Sequence, residues 1–181
     1  MVGAVGIDVT DLTIPGRHGD IPARGYRGPT EAIGAALIWA HGGGFIGGDL
    51  DMPEAHWVGA ELARRGVPVL SIDYTKCLDG VHYPVPSDDV LDAWLFVAGH
   101  EEEFGVAPGH LHFGGASAGA GPGGGRDQAA ARRSRSAAGV SVRVEYEPGT
   151  LHGHLNQPEE PAAMRSIERM VAWIAAPTTP R

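Results

Sequence analysis

Three short stretches hold residue types that could do acyl chemistry. Gly115-Ala-Ser117-Ala-Gly119 fits the G-x-S-x-G pattern, in which a serine on a tight strand-to-helix turn is presented as a nucleophile. Such a turn strains the serine backbone, and its glycines allow the close approach that a Cβ would block. Alone, the pentapeptide fits a plain small-residue turn equally well in a chain this rich in Gly and Ala. His41-Gly-Gly-Gly-Phe45 lies 76 residues upstream of Ser117 and supplies what the pentapeptide lacks. A loop of this type offers backbone N–H groups to a developing oxyanion. Tyr146-Glu-Pro-Gly-Thr-Leu-His152-Gly-His154 ends on a loop histidine, and His152 follows the serine in the order required of a general base.

These stretches need elements that bring their ends together. Ala35–Ala40 (AALIWA) is an unbroken apolar run that stops at His41, which predicts a strand buried on both faces. Val67–Ile72 predicts a second such strand, and His110–Phe113 a third that runs into Gly114. Between them, 53–65 has helical spacing with Trp57, Val58 and Leu62 on one side and Glu54, Glu61, Arg64 and Arg65 elsewhere. A second helix is predicted over 87–100, with Ser87 as N-cap and Val90, Leu91, Trp94, Leu95 and Val97 turned inward. Two short strands, 11–15 and 21–27, precede this series as a hairpin. Further on, 127–138 has helical propensity, Val140–Tyr146 alternates like an edge strand, and 160–175 predicts a last helix. Strand alternating with helix implies an α/β domain with a parallel-rich sheet.

Composition sets limits on partners. The 181 residues predict one domain, with 121–139 as a Gly/Ala/Arg-rich junction of low complexity. Gly and Pro make up 42 residues, about 23% against an ordinary share of roughly 12%. The net charge of -8 argues against nucleic acid or an anionic membrane as a partner. Cys77 is the sole cysteine, so no internal disulfide framework is available, and the N-terminal residues lack the basic start of a secretory signal. A cytoplasmic protein is the expectation. The pairs His110/His112 and His152/His154 share strand-like spacing, but no acid or cysteine is placed to complete a metal site. Asp73, at a strand end ahead of the serine, reads as an anchor for neighbouring loops.

Taken together, the motifs resemble the hormone-sensitive-lipase-like esterases of the α/β-hydrolases. HGGGF (41–45) is similar to that family's oxyanion loop. Asp73-Tyr74 with Tyr83-Pro84-Val-Pro86-Ser-Asp-Asp89 resembles its DYRLAPE…FPA..DD segment, although Thr75-Lys-Cys-Leu78 departs from it. GGASAGA (114–120) resembles its nucleophile elbow, and YEPGTLHGH (146–154) its histidine motif. The resemblance implies Ser117 as nucleophile, His152 as base, and the amides of Gly42, Gly43 and Ala118 as oxyanion donors. It implies a small-molecule carboxylic ester as substrate, an acyl-enzyme intermediate, and no metal or organic cofactor.

One part of that pattern is missing. From Gly114 to Gly139, 26 residues contain no Val, Leu, Ile, Met or aromatic side chain. Only Asp127, Glu145 and Glu147 lie between Ser117 and His152, and a further strand, an acid loop and the nucleophile helix do not fit into 34 residues. The expectation is an α/β-hydrolase sheet truncated by an internal deletion that takes out a strand, the lid and the acid segment. Asp127 reads as a helix N-cap and Glu147 precedes a Pro-Gly turn, so the triad acid stays unassigned. A hydrolase-fold remnant or binding protein without chemistry is the competing reading. An uncovered sheet face of this kind invites self-association.

Overall fold

The computed structural model describes residues 6–117 and 149–176. The helix expected over 127–138, the strand over 140–146 and Ala118 lie outside them.

Among the described residues a five-stranded sheet runs in the order β1-β2-β4-β3-β5. β1 (Asp8–Ile14) and β2 (Ile21–Arg27) form the hairpin, and β2 pairs antiparallel with β4 (Val69–Ile72). β4 and β5 (Leu111–Gly115) then flank β3 (Ala36–Ala40) in parallel. All five residues of β3 and all four of β4 are buried, as expected of strands covered on both faces.

Alternation along the strands divides the core. Leu37, Trp39 and Val69 pack with α1 (Pro53–Arg64) and α4 (Pro161–Ile174) on one face. Ile38, Leu70 and Ile72 pack with α2 (Val85–Gly99) on the other. A short helix, α3 (Glu101–Phe104), follows α2 and ends at Gly105 in the left-handed conformation. Among the described residues no helix is long and apolar enough to cross a membrane.

α2 departs from the sequence reading in two ways. It starts at Val85, because Pro84 and Pro86 suit a first turn whose N–H groups have no intrahelical partner, and Ser87 falls inside the helix instead of capping it. Its inward face carries Pro86, Asp89, Ala93 and Val97, whereas Leu91 and Leu95 are exposed. The buried Asp89 accepts the Thr75 N–H through Oδ2 at 2.7 Å, which ties α2 to the loop after β4.

α1 crosses the sheet at close range because Gly59 faces the Tyr26 ring. A Cβ on Gly59 would stand 2.7 Å from that ring. Gly59→Ala would gain roughly 1 kcal/mol of helix propensity. Forcing a methyl into a filled core costs about 1–3 kcal/mol, so a lower urea midpoint with an unchanged slope is expected.

Candidate active site

Register brings two of the three stretches together. Ala40 of β3 pairs with Gly115 of β5, and the Ala116 N–H extends the ladder by donating to the Ala40 carbonyl at 3.1 Å. The loop beginning at His41 and the turn carrying Ser117 therefore leave the sheet side by side. A Cβ built on Gly42 would lie 3.6 Å from the Ser117 Cβ and 3.5 Å from the Ala116 carbonyl oxygen. Ser117 is exposed and has a φ of 51°, a left-handed conformation that a non-glycine residue holds only at a cost of about 1–3 kcal/mol.

The glycine loop is shaped by backbone crowding. Gly43 has φ 123°, and a Cβ there would collide with the Gly47 carbonyl. Gly48 has φ 84°, and a Cβ there would meet the Gly42 carbonyl oxygen, the His41 ring and the Met52 sulfur. The N–H groups of Ile46 and Gly47 both donate to the Gly43 carbonyl and close the turn.

The loop's first peptide is gripped from both sides. On one side the Gly42 N–H donates to Glu54 Oε1 at 2.6 Å, and Trp39 Nε1 donates to Glu54 Oε2 at 3.0 Å. Glu54 is fully buried, at the N-terminal turn of α1. On the other side His41 Nδ1 lies 2.5 Å from the Gly42 carbonyl oxygen and carries a proton, since a carbonyl only accepts. The Tyr74 hydroxyl donates to the carbonyls of His41 at 3.1 Å and Gly42 at 3.4 Å. Burial first, then the neighbouring carboxylates Glu54 and Asp73, push the Tyr74 hydroxyl up to about 12, so it stays a donor.

His41 is itself fully buried and stacks on Tyr74 with ring centroids 4.4 Å apart. Its Nε2 stands 3.1 Å from Asp73 Oδ1 and 3.3 Å from Lys76 Nζ, and Lys76 also bonds Asp73 and the Tyr74 carbonyl. Asp73 thus anchors the loop after β3 to the loop after β4. Lys76, the chain's one lysine, occupies the segment where the sequence departs from the family pattern.

The expected donors fare differently. With its N–H committed to Glu54, Gly42 has none to offer an oxyanion in this conformation. The N–H of Gly43 makes no hydrogen bond among the described residues. His152 is exposed, and no hydrogen bond among the described residues joins it to Ser117. Its neighbour His154 is engaged with Ser166 Oγ of α4 at 2.9 Å. Among the described residues no group of His, Cys, Asp or Glu could hold a metal ion.

Glu54 is a correction to the sequence reading, which set it apart from the Trp57, Val58 and Leu62 side of α1. The signal was present, since 54, 58 and 62 are successive i, i+4 positions and Val58 and Leu62 are both buried. Lys76 carries no comparable periodic signal, since it lies in the Thr75–Leu78 stretch that departs from the family pattern.

Comparison with known proteins agrees with this geometry. Residues 37–121 match the family of the alpha/beta hydrolase fold. The carboxylic ester hydrolase LipN of Mycobacterium tuberculosis is 43% identical over 118 residues, covering 62% of this chain and 30% of that protein. An ethyl acetate hydrolase of Pseudomonas putida is 37% identical over 103 residues, 54% of this chain and 31% of that one. A solved Pyrobaculum calidifontis esterase superposes with a TM-score of 0.57 at 27% identity, over 90% of this chain and 55% of that one. The chain spans about a third of the length of each of these two curated relatives.

The Asp73 contacts have a pH signature. Burial works to raise its carboxyl, but hydrogen bonds from His41 and Lys76 outweigh burial and hold it below the ordinary 3.8. A lowered carboxyl stabilises the fold above the unfolded value and loses that contribution as pH falls through the folded one. Asp73→Asn should therefore cost about 1–3 kcal/mol at pH 7. Chemical denaturation along a pH series should show that gap closing as pH drops below 3.8.

Proposed function

We propose that this chain, an α/β hydrolase in fold and in the family its residues 37–121 match, is built to cleave small carboxylic esters through an acyl-serine. The observation that carries the reading is the β3–β5 register, which sets a serine in a strained turn against a glycine loop. The names of the relatives, a carboxylic ester hydrolase and an ethyl acetate hydrolase, support the bond type.

Ser117 Oγ attacks the ester carbonyl carbon and gives its proton to His152. The oxygen of the tetrahedral adduct takes hydrogen bonds from the N–H groups of Gly43 and Ala118. Collapse expels the alcohol, which receives the proton from His152, and water then releases the acid by the same steps in reverse order. The exposed His152 ring has to close on Ser117 when substrate is seated, and catalytic hydrogen bonds commonly tighten at that stage.

No triad acid is assigned, and a histidine without one loses about 10⁴ in turnover in serine proteases. Slow hydrolysis is the expectation. The internal deletion is supported by the Pyrobaculum superposition, since 90% of this chain cannot be covered without residues beyond Ser117. The lone free Cys77 supports a cytoplasmic setting. Half-burial of every β5 residue supports self-association along that side of the sheet.

p-Nitrophenyl acetate hydrolysis above buffer should vanish in Ser117→Ala, together with labelling by a fluorophosphonate probe. Equal rates and no labelling, with a normal circular dichroism spectrum, would favour the remnant reading.

A further inference from the structure

We infer that Glu54 is a positioning residue for this reaction, a buried carboxylate that fixes the glycine loop by binding the Gly42 amide and so decides which N–H groups face the substrate. The inference rests on the esterase reading and extends it to a residue outside the serine–histidine pair.

The geometry is specific. Glu54 is fully buried, and its two oxygens are each spent on a buried donor, Gly42 N–H and Trp39 Nε1–H. Its own N–H donates to Asn156 Oδ1 at 3.4 Å, and Asn156 closes the 3₁₀ turn His154–Asn156 that follows His152. One residue thus touches the glycine loop, the strand that launches it and the segment beyond the histidine. Glu54 Oε1 also lies 3.4 Å from the Cβ position of Gly42, whose other near neighbours are the Ala116 carbonyl oxygen and the Ser117 Cβ.

The consequence for catalysis follows from the direction of the bond. With the Gly42 N–H turned inward to the carboxylate, and its carbonyl held by His41 and Tyr74, the next N–H, that of Gly43, is left to receive charge developing on a substrate oxygen. A carboxylate acceptor suits this task because it has acceptor sites for both donors and needs no proton of its own. An amide in its place would turn an NH₂ group against one of them.

Glu54→Gln tests this without a change of size. The wild-type Gly42 amide proton should resonate far downfield of ordinary glycines, as expected for a 2.6 Å bond to a carboxylate. In the variant it should move upfield, while kcat for p-nitrophenyl acetate falls about 10–100-fold, the scale set by small misplacements of catalytic groups. KM should stay within about twofold, because the substrate's other contacts are untouched. A wild-type Gly42 amide at an ordinary position would overturn the inference even if the variant failed to fold. A folded variant with unchanged kcat would overturn it as well. If wild-type protein shows no Ser117-dependent turnover, the esterase reading fails separately, and the Gly42 resonance alone decides whether Glu54 clamps the loop.

Discussion

The site depends on one pairing, that of β3 with β5. Parallel register places Ala40 opposite Gly115, and a single further hydrogen bond, Ala116 N–H to the Ala40 carbonyl, carries it one residue past the sheet. The approach of the Ser117 turn to the glycine loop inherits this alignment. A slip of one residue would turn each side chain to the opposite face, sending Trp39 away from α1 and Ser117 away from the glycine loop. The buried apolar strands resist such a slip, because Leu37 and Trp39 belong to one core and Ile38 and Ala40 to the other.

Above the sheet, polar groups take over from apolar ones. Trp39, Glu54, His41 and Tyr74 form a shell of buried donors and acceptors in which the loop backbone is the central member. Low dielectric makes such a shell strong when complete and costly when broken. The glycines at 43 and 48 let the chain fold into conformations crowded by its own backbone, and the surrounding side chains hold those conformations in place.

Much of this was legible in the sequence. The unbroken apolar run Ala35–Ala40 identified β3, Val67–Ile72 identified β4 and His110–Phe113 running into Gly114 identified β5, and the HGGGF and GASAG stretches named the loops that meet. Leu91 and Leu95 were misplaced because apolar type was taken to mean an inward face, whereas Pro84 and Pro86 set the start of α2 and its rotation. Glu54 differs for the opposite reason, since its charge set it apart from the apolar side of α1. A charged side chain enters a core when enough donors meet it there, and one of those donors is a backbone amide, which composition and periodicity do not reveal. The position of His152 relative to Ser117 was likewise beyond reach, because it depends on loops instead of strand register.

Gly114 on β5 leaves room for the Trp39 ring, whose atoms would stand 3.2 Å from a Cβ there. The indole is thereby held in line with Glu54. Over evolutionary time these three positions are not free to drift one at a time. A bulkier residue at 114 would press on the indole, a lost indole nitrogen would leave a carboxylate oxygen unanswered, and a lost carboxylate would strand two donors. Substitutions at 39, 54 and 114 should arise as a correlated set among descendants of this sequence.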